Sequence, residues 1–183
     1  MPSHILIVGC GAIGGLFAAA LSTVARVSAF DTNGEHVRAI NAQGLRVTGK
    51  NPRTVHVEAT DDPATLKGSA FDAVIFLIKS KMTGSAMSQL WPVLDGNPAL
   101  VTLQNGMGNA EVLLSQPGAI IIRGVTMNAG RYVEPGRIES LIEGKTWLGP
   151  TRGSIEDVQP LAALLSKAGM ETGTVADPMG AVW

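Results

Sequence analysis

Three glycines with the spacing G-x-G-x-x-G follow an apolar run near the start of the chain, within HILIVGCGAIGG. Gly9 suits the tight turn out of a strand, Gly11 lets the backbone approach an anion closely, and Gly14 lets the next helix pack against the strand. The first N–H groups of that helix would face the anion. The spacing predicts a cradle for the pyrophosphate of a dinucleotide; a glycine-rich turn that binds nothing is the alternative. The residues expected to contact the cofactor here are Gly9, Cys10, Gly11, Ala12, Ile13 and Gly14.

Cysteine chemistry is limited to Cys10, the single cysteine of the chain. One thiol excludes an internal disulfide framework and a multi-cysteine metal site, and we expect no bound metal. Inside the glycine loop, a redox thiol and a small space-filling residue are the two alternatives, and we favour the second.

An acidic residue, Asp31, ends the second apolar run, RVSAFD (26–31), about 20 residues beyond the glycine loop, as in dinucleotide-binding folds. Its carboxylate can accept hydrogen bonds from the adenosine ribose hydroxyls and would repel a 2′-phosphate. No Arg or Lys lies between 27 and 34, so the residues favour NAD over NADP. Two alternatives stay open: Asp31 or Asn33 only caps the next helix, or Arg38 reaches a phosphate.

The elements that must position these residues alternate between strands and helices, which predicts an α/β fold. We expect one domain, residues 1–183, with a doubly wound, mostly parallel Rossmann-type sheet and an antiparallel edge late in the chain. Strands are predicted at 4–9, 26–31, 71–79, 99–106, 119–127 and 171–177, with one or two more within 136–149. Helices are predicted at 12–22, within 34–45 up to the helix-stopping Gly44, and at 82–94 and 155–169, with an antiparallel or edge pair at 45–49 and 54–60.

The composition excludes several classes of partner. The net charge is −1 and aromatic residues make up 4% of the chain, so we expect no nucleic-acid surface. Apolar runs such as AVIFLI (73–78) are too short to span a bilayer. The first residues do not resemble a signal peptide, and we therefore expect a cytoplasmic protein.

Three further segments, LIKSKMT (77–83), LQNGMGNAE (103–111) and GVTMNAGRYVEPGRI (124–138), join the glycine loop in a recognisable pattern. Together they resemble the ketopantoate reductase (2-dehydropantoate 2-reductase) family over essentially the whole chain. The resemblance implies a fold related to 6-phosphogluconate dehydrogenase and a cofactor, NADPH in that family. It also implies reduction of a small 2-oxo acid, 2-dehydropantoate, to pantoate in pantothenate biosynthesis.

The resemblance implies roles for three residues. Lys79 matches a family lysine near the nicotinamide end of the cofactor, and Asn105 matches an asparagine that contacts the cofactor close to the substrate pocket. Gly130 stands where the family usually has an alanine beside the cofactor. Lys79 and Asn105 both follow strand carboxyl ends, where open α/β sheets bind ligands, and a buried lysine there would hold a carboxylate or a ribose hydroxyl. The alternatives are a solvated lysine and a plain turn asparagine.

The sequence departs from the family at two places. Asp31 replaces a common arginine, which suggests a member that prefers NADH or a relative that acts on another 2-oxo acid. The sequence given ends at Trp183, and in the family a tryptophan near this point precedes the catalytic lysine and a helical domain. We therefore expect no catalytic residue in this chain, with Lys79 in a positioning role, and little or no turnover by the chain alone.

The other titratable residues considered are not expected to take part in catalysis. His4, His36 and His56 are assigned to a first strand, a surface helix and an edge strand, where each is structural or solvated. Glu111 is expected to be an exposed helix residue.

Two other functions remain open, a stand-alone nicotinamide-nucleotide binding or sensing module and a reductase that acts on another hydroxy acid. Apolar surface expected around the last helix and strand would favour a homo-oligomer.

Overall fold

The computed structural model describes residues 3–181, so the expectation concerning Trp183 lies outside the described residues. The strands are β1 (His4–Val8), β2 (Arg26–Phe30), β3 (Leu45–Gly49), β4 (Arg53–Val55), β5 (Glu58–Thr60), β6 (Ala73–Phe76), β7 (Ala99–Thr102), β8 (Ile121–Thr126), β9 (Ala129–Glu134), β10 (Arg137–Ile142), β11 (Thr146–Arg152) and β12 (Thr172–Thr174). The helices are α1 (Ala12–Leu21), α2 (Gly34–Gln43), α3 (Thr83–Leu90), α4 (Asn109–Leu113) and α5 (Ile155–Lys167). Short 3₁₀ turns connect several of these elements.

The main sheet has eight strands in the order β12-β11-β8-β7-β6-β1-β2-β5. All neighbouring pairs are parallel except β11 with β8, which is antiparallel. The central strands form because they are apolar throughout: every residue of β6 is buried, as are four of the five in β1. Parallel strands covered on both faces require such runs. The predicted mostly parallel sheet with a late antiparallel edge is therefore confirmed.

A second sheet of four strands, in the order β4-β3-β10-β9, was not predicted. The segment 54–60, expected as one strand, is divided: β4 pairs with β3 in the second sheet, whereas β5 joins the edge of the main sheet beside β2. The segment 136–149 is divided in the same way into β10 and β11. β3 and β10 pair in parallel although the paired residues Arg46 and Arg137 lie 91 positions apart, and alternation of polar and apolar residues cannot reveal such a pairing.

Helix α1 lies between the two sheets. Its residues from Gly14 to Leu21 are all buried, and they share one apolar cluster with Ile7 of the main sheet and with Val47 and Ile138 of the second. A Cβ at Gly15 would lie 2.6 Å from the Ile138 side chain, so this glycine allows the second sheet to approach. Burial of a side chain such as Ile138 contributes roughly 1.5–3 kcal/mol. The second sheet thus covers α1 and brings β9 beside the glycine loop.

The two faces of the main sheet are covered by different helices. α1 and α5 pack on one face, where Val158 and Leu165 join the same apolar cluster as α1. α3 and α4 pack on the other face, where Leu90 and Leu113 contact the cluster that contains Phe76. The sheet is therefore doubly wound, as the alternation of elements predicted.

Exposed apolar surface does not lie where it was expected. In the part of the chain that the structure describes, neither α5 nor β12 exposes a large apolar side chain. The exposed ones are instead in loops at the strand ends and in the second sheet: Met82, Met107, Met127, Tyr132, Val133, Leu141 and Ile142. The periodic apolar face of α5 is buried against the main sheet, which is why the expected location is wrong. Within residues 3–181, no helix has the length and apolarity to cross a membrane.

Candidate functional site

The glycine loop has the geometry of an anion cradle. Gly9 has a φ of +89°, which only glycine adopts readily, and its N–H donates to the carbonyl of Phe30 at 2.8 Å. A Cβ at Gly14 would collide with the carbonyl oxygen of Gly9, whereas a Cβ at Gly11 would meet nothing within 4 Å. Gly14 therefore serves the packing of α1 on β1, and Gly11 leaves open space over the first turn of that helix. A pyrophosphate fits there, at the positive end of the helix dipole.

Both polar groups of the Cys10 backbone are held in place. Its N–H donates to the carboxylate of Asp31 at 2.8 Å, and its carbonyl lies 2.9 Å from Nε2 of His36. The Cys10 side chain is fully buried, and burial followed by the nearby charge of Asp31 raises the pKa of the thiol to about 12. The thiol therefore stays protonated near neutral pH, in keeping with a space-filling role.

Asp31 anchors the loop and does not cap the following helix. One carboxylate oxygen accepts the N–H of Cys10, and the other accepts the N–H of Asn33 at 2.9 Å. Asn33 is the cap of α2, where its side-chain oxygen accepts the N–H of His36 at 3.2 Å. A carboxylate has about four acceptor positions, so Asp31 retains capacity for ribose hydroxyls. Arg38 is exposed, with its guanidinium beside Gly34.

An apolar slot of about 80 Å³ opens beside this acid. It lies between the carboxyl ends of β1, β2 and β6 and the start of α3, next to the first glycine of the loop. Its walls are mostly apolar, which is compatible with a nucleotide base. Its lining residues are Val8, Gly9, Phe30, Asp31, Thr32, Ile78, Met82, Ser85, Ala86 and Gln89.

A larger cavity of about 290 Å³ also borders the loop. Ile78 lines both cavities, and the loop contributes Gly9 to the slot and Ile13 to the larger cavity. The described lining of the larger cavity has apolar, amide and hydroxyl side chains and no group that titrates near neutral pH. These residues are Ile13, Leu77, Ile78, Leu103, Gln104, Asn105, Thr126, Asn128, Ala129 and Gly130.

Asn105 lines this larger cavity, and Lys79 is the sequence neighbour of one of its lining residues. Lys79 directly follows Ile78 and is exposed, which corrects the expectation of a buried lysine. Among the described residues, neither the Lys79 ammonium nor the Asn105 side-chain amide has a hydrogen-bond or ion-pair partner. Their two turns are joined through Ser80, whose hydroxyl donates to the carbonyl of Asn105 at 3.2 Å. Both side chains are therefore available to a ligand.

A buried polar network that the sequence analysis did not single out supports the two turns. The side-chain nitrogen of Gln104 donates to the carbonyl of Ile78 at 2.9 Å and to the hydroxyl of Thr83 at 2.8 Å. That hydroxyl lies 3.0 Å from the side-chain oxygen of Asn109, which is 3% exposed. Amides on both sides of Asn105 in LQNGMGNAE were the available signal, because buried amides in a strand-to-helix turn need partners.

Gly130 lies on β9 against the first turn of α1. A Cβ there would lie 3.0 Å from the carbonyl of Glu139 and 3.1 Å from the Leu16 side chain. An alanine would therefore fit only tightly, and glycine leaves β9 closer to the helix. Gly130 also lines the larger cavity, beside Ile13 of the loop.

The remaining titratable residues divide as follows. Glu111 is an exposed residue of α4, as expected, and pairs with Arg123 at 2.9 Å. Its own backbone N–H, followed by the Arg123 side chain, lowers the pKa of this carboxyl.

The three histidines lie in different surroundings. His4 contacts Ser28 and Ala70 through its ring nitrogens, and His56 is exposed. His36, assigned to a surface helix, is 1% exposed and contacts the glycine loop. In residues 3–181 no cluster of His, Cys, Asp or Glu could hold a metal.

Comparison with known proteins gives consistent results. A family model described as ketopantoate reductase PanE/ApbA matches residues 5–153. The 2-dehydropantoate 2-reductases of Halobacterium salinarum and Pyrococcus horikoshii are 33% and 31% identical to this chain over 98% of its length. The match covers 60% and 58% of those two proteins, so the chain spans about three fifths of the curated relatives it matches.

Solved structures extend the comparison to the fold. A PanE/ApbA family ketopantoate reductase from Ralstonia eutropha superposes with a TM-score of 0.87 and 30% identity, over 98% of this chain and 59% of that one. D-mandelate dehydrogenase in a ternary structure with NADH and anilino(oxo)acetate superposes with a TM-score of 0.90 over the same fractions. At 21% identity, the second match supports the fold alone.

Proposed function

The chain belongs to the ketopantoate reductase family, and on that premise we propose that residues 1–183 act as its dinucleotide-binding domain. The cofactor contacts proposed are those of the glycine loop together with Asp31, Lys79, Asn105 and Gly130. The single observation that carries the proposal is the open space at Gly11 at the start of α1, in a loop whose Gly9 and Ile13 line two cavities that share Ile78. A dinucleotide has its pyrophosphate in the middle, so the pyrophosphate would bind at Gly11 and the two ends of the cofactor would enter the two cavities.

The reaction proposed is reduction of a 2-oxo acid by a nicotinamide cofactor. The favoured substrate is 2-dehydropantoate, reduced to pantoate in pantothenate biosynthesis, because the curated relatives bear that name. The reduced cofactor, when bound, supplies a hydride to the ketone carbon. The Lys79 ammonium, which is exposed next to Ile78, and the amide of Asn105, which lines the larger cavity, orient ribose or carboxylate oxygens by donating hydrogen bonds.

NADH is proposed as the preferred cofactor. The support is Asp31, whose carboxylate lines the slot suited to the base and keeps acceptor capacity after binding Cys10 and Asn33. A ribose 2′-hydroxyl can donate to it, whereas a 2′-phosphate would be repelled. Arg38 is an argument for NADPH instead, because an arginine near the ribose accommodates the 2′-phosphate.

Protonation of the product alkoxide is not assigned to any residue of this chain. Ketone reduction needs a proton at the oxygen, and the described lining of the larger cavity has no group suited to supply it. We therefore propose that this chain alone binds the cofactor and turns over 2-dehydropantoate little or not at all. The same observation favours a second candidate, a nicotinamide-nucleotide binding module.

The test is a fluorescence titration of the chain with NADH, comparing the wild type with Gly11→Ala. The added methyl occupies only open space in the free protein, so folding should be unaffected while the pyrophosphate is displaced and binding weakens. Gly180→Ala is the matched control, since a Cβ there also meets nothing within 4 Å. Equal affinities for all three proteins would exclude the loop as the binding site.

A turnover assay distinguishes the reductase from the nicotinamide-nucleotide binding module. We expect a chain extended to the length of the curated relatives to oxidise NADH with 2-dehydropantoate, and the present chain to bind NADH without doing so. Robust turnover by the present chain would contradict the proposed lack of a proton donor. Turnover with a different 2-oxo acid in the longer chain would keep the reaction class and replace the substrate.

A further inference from the structure

His36 is a buried histidine that touches the glycine loop. It lies in the first turn of α2 and is 1% exposed. Its Nε2 is 2.9 Å from the carbonyl oxygen of Cys10, and its Nδ1 is 2.9 Å from the backbone nitrogen of Gly136. The ring of Tyr132 packs edge-on against it, with centroids 5.1 Å apart. One side chain therefore joins α2, the glycine loop and the second sheet.

The two hydrogen bonds fix the tautomer of the ring. A backbone N–H can only donate, so Nδ1 of His36 must be the acceptor for Gly136 and carries no hydrogen. A carbonyl oxygen can only accept, so Nε2 carries the hydrogen and donates it to Cys10. Gly136 lies in the turn between β9 and β10 with a φ of +75°. The second sheet thereby dictates which nitrogen faces the loop.

We propose that His36 is a positioning residue for cofactor binding: it fixes the peptide between Cys10 and Gly11 in the orientation that an anion requires. The carbonyl of Cys10 and the N–H of Gly11 belong to one planar trans peptide and point in opposite directions. Because His36 holds the carbonyl on the buried side, the Gly11 N–H points away from it. Among the described residues that N–H has no partner, which leaves it as a donor for the pyrophosphate.

Without His36, that peptide can rotate and turn the Cys10 carbonyl toward the ligand. Glycine at position 11 makes such a rotation easy, because it restricts the backbone least. Asp31 holds the preceding N–H of Cys10 and does not restrain this carbonyl. An oxygen facing the pyrophosphate would repel it, whereas an N–H attracts it. His36 and Asp31 thus fix two successive peptides of the loop.

This inference rests on the proposed binding of a dinucleotide, and a matched pair of variants tests it. In His36→Gln the side-chain nitrogen reaches the place of Nε2 and keeps the donor to Cys10. In His36→Asn the side-chain oxygen takes the place of Nδ1 and keeps the acceptor for Gly136. Each variant loses the ring and leaves one buried backbone group without its partner, so both should lower the melting temperature by similar amounts.

Cofactor affinity distinguishes a positioning role of His36 from a purely structural one, because a structural role would affect the Gln and Asn variants equally. In NADH titrations we expect the Asn variant to bind about tenfold more weakly and the Gln variant to remain within about threefold of wild type. Equal losses in the two variants, or wild-type affinity in the Asn variant, would overturn the role of His36. Failure of the wild type to bind NADH would instead refute the proposed function.

If the wild type does not bind NADH, spectra of the protein without cofactor still test the inference. A ¹⁵N spectrum of the imidazole should show the hydrogen on Nε2, and the Gly11 amide resonance should shift in the Asn variant more than in the Gln variant. A hydrogen on Nδ1, or equal Gly11 shifts in both variants, would contradict the orientation of the peptide.

Discussion

Asp31→Asn separates the charge of this side chain from its shape, and its effect on cofactor choice can be worked out from the hydrogen bonds. A hydrogen bond from the ribose to the carboxylate is worth about 1.5–3 kcal/mol, against about 0.5–1.5 kcal/mol to a neutral amide oxygen. NADH should therefore bind about tenfold more weakly to the variant. A doubly charged 2′-phosphate about 4 Å from the carboxylate is repelled by about 2 kcal/mol even at the dielectric constant of water. Salt reduces this repulsion, so NADPH should gain about tenfold.

The quantity to measure is the ratio of the dissociation constants for NADH and NADPH. Damage to the loop weakens the binding of both cofactors by the same factor and leaves this ratio unchanged. The side-chain amide of the variant would still offer one oxygen to Cys10 or Asn33 but not to both, which weakens both cofactors alike. Calorimetric titrations of wild type and variant should show the preference for NADH falling by about 100-fold. Asp95→Asn is the control, since it removes an exposed carboxylate that lines neither cavity. An unchanged ratio, or a wild type that already prefers NADPH, would refute the ribose role of Asp31.

Three further predictions concern the loop and its supports. Gly14→Ala should prevent stable folding, because its Cβ collides with the carbonyl oxygen of Gly9; a cooperative melting transition close to that of wild type would contradict this packing. Cys10, fully buried and with its pKa raised to about 12, should react with a thiol reagent at pH 8 only after denaturation; fast labelling of the native protein would show that it is accessible. The lowered pKa of Glu111, which arises from its own backbone N–H and from Arg123, stabilises the fold above the carboxyl's ordinary pKa and is lost as the pH falls. Glu111→Gln should therefore flatten the acid side of a stability–pH curve, whereas an unaltered curve would exclude this contribution.

The glycine loop and the main sheet were predictable because their signals are local. The apolar runs of β1 and β6, the spacing of Gly9, Gly11 and Gly14, and the Gly44 that ends α2 each depend on neighbouring residues. The second sheet was not predictable in the same way, because β3 pairs with β10. The burial of His36 was not predictable either, because α2 has the polar composition of a surface helix, and the contacts of His36 with Tyr132 and Gly136 come from about 100 residues further along the chain. Long-range pairing decided both outcomes.

In the candidate site too, local signals were predictable from the sequence, whereas contacts that depend on the folded chain were not. Asp31 was identified from its distance to the glycines, but its bonds to Cys10 and Asn33 depend on how the loop folds back. Lys79 was expected to be buried and is exposed, because a strand's carboxyl end does not determine which way the next turn faces. The half-buried amide of Gln104 and the buried amide of Asn109 were passed over because their partners lie in the neighbouring turn.

The structure of this chain crystallised with NADH is the most direct test of the central claim. The account predicts the pyrophosphate over the N-terminus of α1, about 3 Å from the Gly11 N–H, with a ribose hydroxyl on Asp31 and the nicotinamide beside Asn105. A cofactor bound elsewhere, or a Cys10 carbonyl turned toward the phosphates, would contradict it.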